Sequence, residues 1–484
     1  MSRLAIGIEK TNQSNQTTQK YNKLFNALLI IAFILPWPHG GEVMWQYLIF
    51  CISIFSLGAI YFTTRFTTKN SNQSLNSIKV PLLFLGTWLV FQVIQVIPLP
   101  TSIIGQLTNI AEQNVNTNQW QTISIAPNVT LLELIKHTSY ITVFVLTLCL
   151  LNTKQRILTL ANTLFLGSAI IALYSLANHY TKGGIDLISS IPPWTAPWEK
   201  LTHGTFSYQN HYASFLTLTI PLGYGLIYSN IKKNFNTKIG TNNLAKIIDF
   251  VMSINGLYLI CLLVMIIALF KTASRGGNAI FIVSITITFL CVLFQQKKST
   301  KSKIKKISLL VISILTISAL VIISGVTDSL TKRLNQQGYT PNGRDLMHQT
   351  AFSIIQERPL VGTGAGTYPV LQHRYKDPNL GITKMSKRAH NDYLELLTNQ
   401  GVIGFSLLGL ATLLLMLKLF RGLKKSRSNS TRNLYGLQVA SFCSVTAILL
   451  HSLVDFNFHL PANAIYFYLI LALGIKIPQF KKSI

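Results

Sequence analysis

The chain has 484 residues, 49% hydrophobic and 12% charged, about half the charged fraction of a soluble domain. That balance excludes an ordinary soluble enzyme and points to a polytopic membrane protein. The net charge of +28 is not a nucleic-acid face, because the Lys and Arg sit in short loops between apolar runs, where they act as orientation signals and lipid contacts.

In chain order, the polar stretch Met1–Lys23, with no cleavage site after Asn26–Pro36, reads as a cytoplasmic tail rather than a signal peptide. A membrane-spanning helix needs roughly 20 apolar residues. Twelve stretches fit: Leu24–Pro36, Val43–Phe62, Val80–Ile97, Leu132–Leu151, Ile157–Ala177, His211–Tyr228, Phe250–Phe270, Ala279–Phe294, Ile307–Ser324, Val402–Phe420, Tyr435–Leu453 and Ala462–Ile477. The loops between them alternate in charge. Gln295–Lys306 holds six lysines and Arg421–Arg432 five basic residues, whereas Thr101–Thr130 holds none. This places both termini in the cytoplasm. The expected organisation is a tail at 1–23, nine spans over 24–325, a large outer segment with short helices at 326–400, and three spans with a short tail over 401–484. Thr101–Thr130, with Trp120, and Tyr180–His203, with Trp194 and Trp198, have the composition of interfacial loops. The five cysteines all lie in apolar runs without metal-ligand spacing and read as small buried hydrophobes.

Two basic stretches fall on the outer side, against the orientation rule, and so are candidates for anion binding. One is the hairpin from Lys271 to Arg275; the other is the outer segment itself. In the hairpin, Arg275 offers a planar fork suited to phosphate, and Gly276 and Gly277 leave backbone amides open; a helix-end residue reaching for the interface is the alternative. Arg344 opens an amphipathic helix over about Leu346–Gln356, expected to lie on the membrane, or else pairs with Asp345. The run Pro359–Tyr368 is Gly-rich and could approach a substrate closely. It is no nucleotide loop, because no Lys-Ser/Thr follows Gly366. Without an ATP site, any reaction must use an activated donor.

His390 precedes a short helix, Asn391–Gln400, with Gly401 as its stop. His390 or Asn391 sits at its N-cap; a helix N-terminus, with Lys387 and Arg388 alongside, disfavours a cationic imidazole and suits His390 to accept a proton, and a capping or interfacial histidine with no catalytic role is the alternative. Between the last two spans, His451, Asp455 and His459 form a polar cluster that is costly without partners. Asp455 could orient His390 or pair with Arg275, or the cluster could seal the bundle. Asn210 and His211 start the sixth span from the same side, where they face that cavity or cap the helix. Arginines at an outer interface suit a lipid-linked diphosphate, and a neutral histidine suits deprotonation of a hydroxyl. Together they suggest glycosyl transfer.

The motifs Ser274-Arg275-Gly276-Gly277, Gly343-Arg344, Pro359-Leu360-Val361-Gly362-Thr363-Gly364 and Ala389-His390-Asn391-Asp392-Tyr393-Leu394-Glu395, with Gly401-Val402-Ile403-Gly404, resemble the O-antigen ligase and polymerase superfamily. Gly204–Ala213 and His451–Pro461 are similar to its members too. The resemblance implies a bacterial inner-membrane glycosyltransferase of GT-C type, with its active site facing the periplasm. It implies undecaprenyl-diphosphate-linked glycan as donor, lipid A-core or a growing polysaccharide as acceptor, and neither metal nor cofactor. His390 takes the role of base, and Arg275 and Arg344 that of diphosphate ligands, with Arg388 and Lys271 beside them. Met347 and His348 stand where the family often carries an aromatic residue after its Gly-Arg. Within the superfamily, ligation to lipid A-core competes with repeat-unit polymerisation and protein O-glycosylation. A lipid-linked glycan transporter is the reading from another class, but it predicts more charge in mid-span than is present.

Overall fold

The computed structural model describes residues 2–68, 73–108, 120–192, 202–234, 252–294, 344–375, 388–427 and 431–480. The expected span Ile307–Ser324 lies outside them, as do Gly343 and Lys387. The chain is an all-α polytopic membrane protein. Its helices are Ser2–Ile34 (α1), Met44–Thr68 (α2), Gln73–Asn76 (α3), Lys79–Val96 (α4), Thr101–Leu107 (α5), Pro127–Leu150 (α6), Lys154–Tyr180 (α7), Gln209–Asn234 (α8), Ile254–Lys271 (α9), Arg275–Phe294 (α10), Arg344–Glu357 (α11), Tyr368–Tyr375 (α12), Asp392–Lys425 (α13), Tyr435–His451 (α14) and Pro461–Lys476 (α15). Two short strands, Leu99–Pro100 and Trp120–Gln121, pair antiparallel.

Among the described residues nine helices are long and apolar enough to cross a membrane. They coincide with nine of the expected spans. Two more expected spans fall on α1 and α8, which are helical but more polar. In α1 the polar tail and the first span form one continuous helix. In α8, His211–Gly223 is buried without a break, so that helix meets protein on every side and does not require a lipid-facing apolar surface. The helices differ sharply in position. The most apolar window of α15 is 94% buried, that of α13 only 22%. α15 is therefore the centre of the bundle and α13 its rim. Exposed Ile52, Leu83, Val90, Ile260 and Leu413 form the apolar outer surface that lipid covers.

Small residues let the central helices touch. A Cβ on Gly225 would lie 3.0 Å from the carbonyl of Gly436, and one on Gly436 would lie 2.9 Å from that of Gly225. α8 and α14 thus pack backbone to backbone.

The feature that positions the site is a break in α13 at Gly401, whose φ of 59° and ψ of −170° are open essentially to glycine alone. A break in a buried helix leaves amides and carbonyls without partners. Here the Gly-rich run supplies them. Thr363 N donates to Thr398 O (3.1 Å), Gly364 N to Asn399 O (2.8 Å), Val402 N to Pro359 O (2.8 Å) and Ile403 N to Leu360 O (3.1 Å). Gln95 Nε2 donates to both Val361 O and Asn399 O, and Trp88 Nε1 to Gln400 Oε1. The two strands of backbone are so close that a Cβ on Gly362 would lie 2.4 Å from Gln400 N, and one on Gly401 2.3 Å from Leu360 O. The close approach expected of this run is thus made to the protein's own helix. α11 also departs from expectation. Its buried face, Ala351 and Ile354, packs on Tyr368 and Ala389, so those residues cover the apolar stripe expected to lie on lipid.

Candidate active site

The site forms where the turns α9–α10 and α14–α15 meet the start of α11, the start of α8 and the residues just before α13. In the first turn, Thr272 Oγ1 accepts from Ser274 N and Ser274 Oγ accepts from Gly277 N, the usual hydroxyl satisfaction of a helix start. Ala273 takes a left-handed φ of 51°, which turns the chain sharply into Arg275. The two glycines serve packing. A Cβ on Gly277 would meet Ala213 at 2.6 Å, and one on Gly276 would meet His451 Nε2 at 3.3 Å.

The centre is Asp455, 1% exposed. Its Oδ1 lies 3.1 Å from His390 Nδ1 and accepts from Phe456 N. Its Oδ2 accepts from Asn210 Nδ2 at 2.7 Å and lies 3.8 Å from Arg344. Burial opposes ionisation of this carboxyl, but the His390 hydrogen bond and the fields of His211, His390 and His451 outweigh it and hold Asp455 well below the usual carboxylate range. A buried carboxylate with this many partners can only persist as a set. Next to it is a cavity of about 60 Å³ lined by Tyr208, Asn210, Ala273, Arg275, Gly276, Arg344, His451, Val454 and Asp455. Two guanidinium groups from separate helices therefore converge on one small polar hollow.

His390 has a left-handed φ of 52°, uncommon for a residue with a Cβ. Its ring meets the Phe456 ring edge-on at 4.8 Å, and Phe456 meets the His211 ring in the same way at 4.6 Å. Asn391, not His390, is the helix cap: its Oδ1 accepts from Tyr393 N and Leu394 N. Asp392 ties the segment down. Its N donates to Ser452 O, and its Oδ2 accepts from Asn457 N and Phe458 N. The imidazole is thus free of capping duty and fixed by Asp455 and Phe456.

Of the residues singled out from sequence, His390, Asp455, Asn210, Arg275, Arg344 and His451 come together here, with Asn391 capping below and His211 buried behind Phe456. Three do not. Lys271 lies with its ammonium over the Tyr180 ring, 5.8 Å from the centroid, and does not line the cavity. Arg388 turns to Glu395 (2.8 Å), whose other oxygen accepts from Ala389 N; its charge acts on Glu133 and Asp392 as well, and it does not line the cavity. His459 joins the same cluster, with Nε2 3.0 Å from Glu395 Oε1 and 3.8 Å from Asp392. Tyr208 and Phe456 were missed. Both stand inside motifs singled out from sequence, but nothing in an aromatic side chain announces that it braces a histidine. Glu133, Lys136 and His137 were missed as well, because one helical turn of charge in α6 reads as a span end.

Residues 260–409 match the family model described as O-antigen ligase. No curated protein matches the chain. The matched stretch begins in α9, takes in Arg275, Arg344 and His390, and ends in α13 beyond the Gly401 break. Both arginines of the hollow and the histidine at its edge thus fall within the stretch that is similar to the O-antigen ligase family.

Proposed function

We propose that the protein transfers a glycan from undecaprenyl diphosphate to an acceptor hydroxyl at the periplasmic face of the bacterial inner membrane, ligating O-antigen to lipid A-core. The observation that carries this reading is the His390–Asp455 pair, 3.1 Å apart, at the edge of a hollow shared by Arg275 and Arg344. In this reading the guanidinium groups hold the diphosphate, as planar forks suited to its oxygens. Asp455 accepts from His390 Nδ1 and so leaves Nε2 as the proton acceptor, the orienting role a carboxylate plays toward a histidine base. The acceptor oxygen attacks the anomeric carbon and the bond from that carbon to the diphosphate oxygen breaks. The hydroxyl proton passes to His390, and undecaprenyl diphosphate leaves as an anion on the arginines. A diphosphate is a good leaving group, so the residues assist the nucleophile more than the departure.

Deletion of the gene, followed by electrophoresis of cell polysaccharide, tests the assignment. Ligation predicts full-length chains absent from lipid A-core and retained on the carrier lipid. Single repeat units on core would overturn it in favour of polymerisation.

A further inference from the structure

A second cavity, of about 370 Å³, lies on the other side of the His390–Asp392 segment, between α4, α6, α13 and α15. Its volume is that of a ligand pocket. Most of the wall is apolar: Phe405, Leu413, Met416, Phe467 and Tyr468 among others. One wall is α13, the least buried of the long apolar helices among the described residues, which sets the cavity beside the lipid. The end nearest His390 is different. Glu133, His137, Asp392 and His459 line it. Glu133 already holds Lys136 through Oε1, and Glu395 holds Arg388 and His459. Yet Glu133 Oε2 and Asp392 Oδ1 are buried and have no hydrogen-bond partner, and the Asp392 side chain is only 9% exposed.

These two oxygens have only His137 at 3.7 Å and His459 at 3.8 Å beside them; they accept no hydrogen bond, stay open to a donor, and repel anions. This end is unsuited to a diphosphate and suited to hydroxyl groups, the reverse of the hollow beside Arg275 and Arg344. We infer that the second cavity binds one acyl chain of a hydroxyl-headed glycolipid, the chain between α6, α13 and α15 and the head on Glu133 and Asp392. Only the word "acceptor" rests on the proposed transferase reading: if that holds, the two substrates approach His390 from opposite sides of one segment, anion-bearing donor from one and hydroxyl-bearing acceptor from the other.

Gly409 lines this cavity, and a Cβ there would meet nothing within 4 Å. Gly409→Phe therefore adds a bulky apolar group on the cavity wall through a Cβ that meets no neighbour. The test uses purified protein and a long-chain alkyl glucoside carrying a diazirine at the chain end. The expected result is photolabelling of α13 around Leu413 and Met416. Gly409→Phe should reduce it by about tenfold, the loss of contact for about two buried methylenes, at unchanged thermal stability. Undecaprenyl diphosphate should not compete. Displacement of the label by undecaprenyl diphosphate would assign the cavity to the donor's tail and overturn the inference. So would labelling elsewhere, or labelling indifferent to Gly409→Phe. None of these readouts requires transfer. Where transfer is measured, Gly409→Phe should raise KM for the acceptor and leave KM for the donor unchanged.

Discussion

At the scale of single residues, the burden falls on the pair His390 and Asp455. A positioned base contributes roughly 10²–10⁴ in rate. His390→Ala should therefore lower transfer by at least about 10²-fold while the arginines retain the donor, a split read by in vitro transfer beside donor binding. His390→Gln should do no better, since an amide donates and accepts hydrogen bonds but takes no proton. Transfer by His390→Ala above about a tenth of wild type would move the base elsewhere. Asp455 makes a different prediction, about stability. Its pKa in the folded protein lies below the ordinary value of 3.8. A depressed carboxyl stabilises the fold fully above its unfolded value and loses that contribution as pH falls through the folded one. Asp455→Asn should thus melt below wild type at neutral pH, and the gap should narrow as the solution is acidified below about 4, the unfolded carboxyl range. A gap independent of pH would show that shape, not charge, holds the cluster.

At the scale of elements, the joint between the Gly-rich run and the break in α13 decides where His390 stands. Gly401→Ala places a Cβ 2.3 Å from Leu360 O in a backbone conformation that itself costs about 1–3 kcal/mol for a residue with a side chain. It should lower thermal stability measurably and reduce transfer, although Gly401 touches no substrate. Gly409→Ala, in the same helix with open space around it, should instead match or exceed wild-type stability by about 1 kcal/mol. These same residues show what sequence can disclose. The stop at Gly401 was legible, because glycine after a short capped helix has one common meaning. The positions of the spans were legible from apolar length. That Pro359–Gly366 would mend the break was not, since a glycine run states only that backbone comes close to something. Arg388 and His459 were misplaced for a related reason: adjacency to His390, or to Asp455, says nothing about which way a long side chain turns. Here Glu395, one turn into α13, drew both toward itself.

At the scale of the whole molecule, the orientation rests on the distribution of Lys and Arg. Thr101–Thr130 carries none, Gln295–Lys306 carries six, and the cost of translocating short basic loops sets the orientation. A cysteine placed at Asn116 should react with an impermeant thiol reagent in intact spheroplasts, whereas one at Ser299 should not. The native cysteines lie within helices and should contribute little background. Labelling at Ser299 alone would invert the protein and put the paired arginines on the cytoplasmic side.

The left-handed backbone at position 390 has one more consequence, for repair by added chemistry. Most residues adopt a φ of 52° reluctantly, but glycine does so freely. His390→Gly should therefore keep the chain path between Ala389 and the Asn391 cap intact and leave an imidazole-shaped space between Asp455 and Phe456. Free imidazole supplied in solution should occupy that space and restore transfer saturably. Among azoles of similar size, restoration should rise with basicity. Restoration by an azole too weakly basic to take the proton would show that the space needs only to be filled.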